Sequence, residues 1–229
     1  MNEPLRADNA IQQAYIERQP IVDRHGEIIG YELYYYSGRQ PAGKTENTLE
    51  ASAAVLAHLL GNMDAGWLPE GKHVFLNTHI DLLTDADFLA LLPDNRIVLD
   101  LHGEPGVVSE EMLRACDALR RRNIGIALDG WPLAERSPEL LIRAGYVKLD
   151  VIGDDAFTFY GHFAELAHYP LKKLAKHVGN GKEYRFCRDV GFDLFQGYFF
   201  TRPEIVVEKE VSTSLAQLVQ LFDLVGANA

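Results

Sequence analysis

The sequence predicts an α/β fold of the TIM-like (β/α)8 barrel type. One observation is length: 229 residues without a long Pro/Gly/Ser-rich linker fit one domain near the upper end of the usual size range, where barrels often sit. Another is alternation, because short strand-like apolar runs take turns with helical periodicities along most of the chain. A third is that polar residues recur at the ends of those runs, the place where barrel side chains converge on one mouth. A doubly wound open sheet would be expected to show a Gly-rich phosphate loop after its first strand, and none is present.

Runs with β character at 14–22 and 28–36 flank Asp23-Arg24-His25-Gly26, which is turn chemistry, so the chain is predicted to open with a hairpin. Leu49, Ala53, Leu56 and Leu60 then recur at helical spacing and stop at Gly61-Asn62. A short strand over 73–77 and a short helix over 85–92 follow. The run 96–101 reads as a strand covered on both faces. Ser109 caps a helix through Arg122, with Glu110 and Glu111 in its first turn and Arg120 to Arg122 in its last. A strand over 124–129, a helix opened by Ser137-Pro138, a strand over 146–150 and a helix over 156–168 continue the alternation. Strands at 171–178 and 194–200 flank a helix near 182–189. Leu215, Leu218, Val219, Phe222 and Val225 form the stripe of a last helix, expected to pack outside the barrel. The expected organisation is a polar N-terminal segment over 1–12, the barrel over 13–208, and a C-terminal helix and tail over 209–229.

Apolar residues make up 47% of the chain and charged residues 24%, an ordinary balance for a soluble globular protein. The net charge of −11 argues against nucleic-acid polymers and anionic membranes, which both need a basic face. No stretch reaches the roughly 18 apolar residues of a spanning helix, and Met1 to Asn9 lack a signal-peptide core, so a cytoplasmic protein is expected. Cys116 and Cys187 are isolated and read as packing residues.

Glu32, Asn77, Asp100, Asp129 and Lys148 lie in or at the ends of apolar strands. Three carboxylates and an amide oxygen converging on one mouth would repel one another without a cation, and such hard oxygen donors suit Mg²⁺ or Mn²⁺. Each residue alone also fits a strand-end group that caps a loop by hydrogen bonds. The residues by themselves therefore point to a metal site or to a set of loop caps.

Gln19-Pro-Ile-Val22, Tyr31-Glu-Leu33, Phe75-Leu-Asn77, Ile97-Val-Leu-Asp100, Ile126-Ala-Leu-Asp129, Val147-Lys-Leu-Asp150 and Phe195-Gln-Gly-Tyr-Phe-Phe-Thr-Arg-Pro203 occur in the order seen in EAL domains, the barrel of bacterial cyclic-di-GMP phosphodiesterases. The last segment resembles that family's Gln-Gly-Tyr-x-Phe-x-x-Pro. The Gln-Pro-Ile and Tyr-Glu-Leu forms look closest to the subgroup often joined to an HDOD domain. The resemblance implies a barrel whose first strand runs antiparallel to the others, and hydrolysis of cyclic-di-GMP by water activated on two divalent metals. It implies metal-ligand positions at Glu32, Asn77, Asp100 and Asp129, a catalytic position near the reacting phosphate at Lys148, and substrate-lining positions at Gln19 and Gln196.

Departures from the family's pattern bear on activity. Asp-Asp-Phe-Gly becomes Asp129-Gly130-Trp131-Pro132, which removes a ligand of the second metal. Glu-x-Thr-Glu becomes Asp100-Leu-His-Gly103, unless Glu104 substitutes from one position later. Ala-Glu-Gly-Val-Glu becomes Ala175-Lys-His-Val-Gly179, which loses both glutamates. The arginine that holds a substrate phosphate falls at Tyr36. Lys176 reverses a charge beside the metal position, and its ammonium either sits among Glu32, Asp100 and Asp129 as a counter-ion or turns to solvent.

The expectation is a catalytically impaired EAL domain that acts in signalling through a protein partner not named by the sequence, or through cyclic-di-GMP. The alternative is a weak phosphodiesterase with Mg or Mn at the residual site. No cofactor is expected to be required, and a homodimer is compatible with the family.

Overall fold

A computed structural model describes residues 13–37, 52, 55–56, 69–102, 108–129, 137–151, 161 and 163–210. The chain enters through strand β1 (Gln13–Asp23) and returns through β2 (Ile28–Ser37). Asp23 fixes the turn, its Oδ1 accepting from the backbone N–H groups of His25 and Glu27 at 2.8 and 2.9 Å. Gly26 takes the left-handed conformation there, with φ of 83°.

The remaining elements alternate. They are β3 (His73–His79), α1 (Ala86–Leu91), β4 (Ile97–His102), α2 (Glu110–Arg121), β5 (Gly125–Leu128), α3 (Pro138–Arg143), β6 (Tyr146–Asp150), β7 (Lys172–Lys176), α4 (Gly181–Val190), β8 (Leu194–Phe195) and β9 (Glu204–Glu210). β2 to β8 form a consecutive parallel series, and β1 pairs antiparallel with both β2 and β8. That pairing closes eight strands into a mixed barrel, with β9 added antiparallel along the outer part of β1.

Local chemistry sets the helix starts as the sequence implies. Asp85 Oδ1 accepts from Phe88 N at 2.8 Å, Ser109 Oγ from Met112 N at 3.2 Å, and Asn180 Oδ1 from the N–H groups of Lys182 and Glu183. These bonds satisfy donors that a helix leaves open in its first turn. α4 ends on Gly191 at φ 112°, a left-handed closure that a Cβ would oppose.

The barrel is filled by Ile21, Phe75, Val98, Ala127, Leu174 and Leu194, all buried, and Phe75 meets Tyr146 edge-on at 5.2 Å. A larger layer between strands and helices includes Leu33, Leu76, Leu99, Leu101, Leu119, Ile126 and Leu128. The all-buried pattern of β4 follows from this two-sided cover. Cys116 is buried in the larger layer and Cys187 in a separate cluster with Val178, Phe192 and Phe195, and burial pushes both thiols up to about 11.

Several boundaries differ from the sequence expectation. The strand expected over 194–200 ends at Phe195, because Gly197 adopts φ 152° with its backbone pressed against Val178 and the chain turns away. A 3-10 helix over Ile80–Thr84 precedes α1. β9 has no clear alternating signal in the sequence, and it crosses the boundary placed between residues 208 and 209. The helix expected around 49–60 is represented by Ser52, Val55 and Leu56, helical and buried, and the helix expected over 156–168 by helical residues at 161 and 163–166. The rest of these two segments, residues 1–12, the last helix, and the substituted positions Gly103 and Gly130 lie outside the described residues.

Candidate active site in the barrel mouth

Strand alternation and register deliver the polar residues to one end of the barrel. Glu32 on β2 stands opposite Gln19 on β1 and Phe75 on β3. Asn77 on β3 stands opposite Asp100 on β4. Lys148 lies on β6 opposite Leu174, and Lys176, the last residue of β7, lies opposite Asp150. Asp129 and Gln196 follow directly after β5 and β8. Because side chains alternate faces with period two, the in-facing members of successive strands meet at the C-terminal rim.

Glu32, Asp100 and Asp129 each bring one carboxylate oxygen within 4.8 Å of the others. Lys148 is the central cation. Its Nζ lies 2.7 Å from Glu32 Oε2, 2.5 Å from Asp100 Oδ2 and 3.3 Å from Asp129 Oδ2, with the side chain 1% exposed. Lys176 Nζ donates to the other oxygen of Asp129, Oδ1, at 2.6 Å. Lys176 therefore turns toward the carboxylates and engages Asp129, while the place among all three acids belongs to Lys148. Three carboxylates facing two ammonium groups leave a formal charge of −1.

Hydrogen bonds complete the cluster. Glu32 Oε1 accepts from Asn77 Nδ2 at 3.1 Å, and Glu32 Oε2 accepts from Gln196 Nε2 at 2.7 Å. Gln196 also donates to the Tyr34 hydroxyl at 3.2 Å, and that hydroxyl donates to Gln19 Oε1 at 3.3 Å. Asp100 Oδ1 is buried and has no hydrogen-bond partner among the described residues.

Electrostatics separates the two aspartates. Burial, reinforced by Glu32 and Asp129 and opposed by Lys148, pushes the Asp100 carboxyl up to about 7. Burial acts in the same direction on Asp129, but Lys148 and Lys176 together overcome it and hold that carboxyl at about 2. Lys148 loses solvation on burial, yet Asp100, Glu32 and Asp129 keep its ammonium well above the usual lysine value. The arrangement is one ammonium-bridged triad with a second ammonium on its outer member.

The donor set fits one hard divalent cation, held by Glu32, Asp100 and Asp129 with Asn77 beside them, and Asp100 Oδ1 has a lone pair to offer. Such an ion would supply Lewis acidity to a phosphodiester. The outer oxygen of Asp129 carries Lys176.

Other expected positions fall at the edge of the site. Tyr36 pairs with Tyr15 in the hairpin through its backbone. Gly179 N donates to Glu183 Oε2 at 2.7 Å, so a carboxylate of α4 folds back over the position where the family pattern carries glutamate. Two residues not singled out from the sequence belong to the mouth. Tyr34 and His102 lie two positions beyond Glu32 and Asp100, and period-two alternation was the signal that could have found them. His102 is 9% exposed, and its Nε2 has no partner among the described residues. Burial first, and then His79, whose ring lies 5.6 Å away, pull its imidazole down to about 4.

No family model matches the chain. In sequence it is 27% identical over 223 residues to the cyclic di-GMP phosphodiesterase CdgJ of Vibrio cholerae, covering 94% of this chain and 50% of that protein. It is 24% identical over 216 residues to the uncharacterized protein YuxH of Bacillus subtilis, covering 92% and 52%. The chain thus spans about half the length of these curated relatives. Among solved structures, the Bacillus subtilis YkuI protein, which has an EAL domain and was solved with cyclic-di-GMP and calcium, matches with a TM-score of 0.69 at 15% identity, covering 94% of this chain and 62% of that one. The PaMucR phosphodiesterase in complex with cyclic-di-GMP matches at 0.64 and 17% identity, covering 84% and 97%. Klebsiella pneumoniae BlrP1 with manganese and cyclic-di-GMP matches at 0.60 and 17% identity, covering 84% and 56%.

Proposed function

Because this chain is an EAL-type barrel, related in sequence to a cyclic-di-GMP phosphodiesterase, we propose that it is a catalytically impaired EAL domain acting in signalling by recognising cyclic-di-GMP or a protein partner. The observation that carries this reading is the Lys176 ammonium on Asp129 Oδ1 at 2.6 Å, because Lys148 stands where the resemblance places the lysine of active members. Two-metal hydrolysis needs that oxygen for a cation. The substitution of a second-metal ligand position by Gly130 and of the phosphate-holding position by Tyr36 supports the same conclusion. A fold that loses its chemistry keeps its concave mouth and surface for recognition.

A second reading, weak hydrolysis on a single Mg²⁺ or Mn²⁺, is favoured by the unpartnered Asp100 Oδ1 beside the triad. Calorimetric titration with cyclic-di-GMP, in chelator and in Mn²⁺, separates the readings. Binding without turnover supports a nucleotide receptor, and absence of binding directs the search to protein partners. Conversion to linear product during the titration would establish the second reading instead.

A further inference from the structure

Tyr34 occupies a polar position in the mouth that no metal-ligand or catalytic role accounts for. It lies two residues beyond Glu32 on β2, so its side chain projects to the same face. Its hydroxyl is 3.2 Å from Gln196 Nε2 and 3.3 Å from Gln19 Oε1. Gln196 spends its other amide contact on Glu32 Oε2 at 2.7 Å, and Gln19 Nε2 donates to the Thr201 carbonyl at 3.2 Å. Both glutamines are buried, 2% and 6% exposed. A protonated phenol has one hydrogen to give and lone pairs to receive with. It accepts from Gln196 Nε2 and donates to Gln19 Oε1, and so links the two glutamines.

We propose that Tyr34 is a built-in occupant of the polar subsite between Gln19 and Gln196. Its hydroxyl takes the donor and the acceptor that a hydroxyl or amide of a nucleotide in the mouth would otherwise take, and so it sets the affinity of the site. The inference rests on the reading of the mouth as a cyclic-dinucleotide site, although the tether between the glutamines does not. A ligand entering the parent protein must break two internal hydrogen bonds before it forms its own. In Tyr34→Phe the ring remains and the glutamines are released.

The test measures cyclic-di-GMP binding by calorimetry to the parent, Tyr34→Phe and Tyr34→Leu, together with ¹⁵N-resolved spectra of the glutamine side-chain amides. Thermal melts establish that each variant is folded. The expected result is displaced amide signals for Gln19 and Gln196 and binding about tenfold tighter in both variants, the scale of one or two net hydrogen bonds. Unmoved glutamine amides would overturn the tether whatever the ligand. Moved amides with equal binding by all three proteins would overturn the control of affinity by Tyr34 and leave the ligand reading standing. Moved amides with no binding by any of the three would overturn the ligand reading and this proposal with it.

Discussion

Three carboxylates held within 4.8 Å of one another in a buried mouth persist only if cations neutralise them, since removing one partner of a buried ion pair costs about 3–5 kcal/mol. Lys148 touches all three acids, whereas Lys176 touches Asp129 and is 19% exposed. Lys148→Met is therefore expected to lower unfolding free energy by about 3–5 kcal/mol, and Lys176→Met by about 1–2 kcal/mol. Added Mn²⁺ should recover part of the loss in Lys148→Met by mass action on the folded state. Urea denaturation with metal and with chelator checks both, and equal losses in the two variants would contradict the assignment of the central ammonium. The pH dependence separates the aspartates. Asp100, raised to about 7 from an unfolded value near 3.8, binds more protons when folded between those values, so its contribution to stability falls as pH rises through that window. Asp129, lowered to about 2, contributes stability that is complete above about 4 and is lost as pH falls toward 2. In chelator, Asp100→Asn should flatten the decline in stability between about pH 4 and 7, and Asp129→Asn should weaken the acid loss. Urea midpoints measured across the pH range test each sign.

Elements were legible where local chemistry decides them. Ser109 and Ser137 accept from the first turns of the helices they open, and the Asp23 to Gly26 turn appears between β1 and β2. The end of the last barrel strand was not legible, because it is set by a tertiary contact. A Cβ on Gly197 would lie 2.2 Å from the Val178 carbonyl oxygen, a constraint between the segments that follow β8 and β7 that no local window contains. Gly197→Ala is thus expected to cost about 2–4 kcal/mol. Gly26→Ala, at φ 83° with nothing within 4 Å of its Cβ, should cost about 1 kcal/mol from backbone strain alone. Chemical denaturation of the two variants would contradict this account if Gly26→Ala were the more damaging. β9 was missed for a related reason: its alternation is weak, and it forms because β1 extends past the barrel and presents a free edge to pair.

At the scale of the whole molecule, eight strand-helix units implied a barrel, and register then brought Glu32, Asn77, Asp100, Asp129, Lys148, Lys176 and Gln196 to one rim. The position of each residue was readable from strand order, but the direction of each side chain was not. Lys176 was open between carboxylates and solvent in the sequence, and only the closed barrel, which sets β7 across the mouth from Asp129, decides for the carboxylate. The curvature that turns separate strand ends into one cluster of acids and ammonium groups is a property of closure. The most direct test is a turnover assay of the purified protein on cyclic-di-GMP with excess Mn²⁺, beside Glu32→Ala. The account predicts no measurable linear product from either protein, since losing single charge-stabilising groups costs factors of about 10² to 10³ in rate. Robust turnover by the parent that disappears in Glu32→Ala would contradict it.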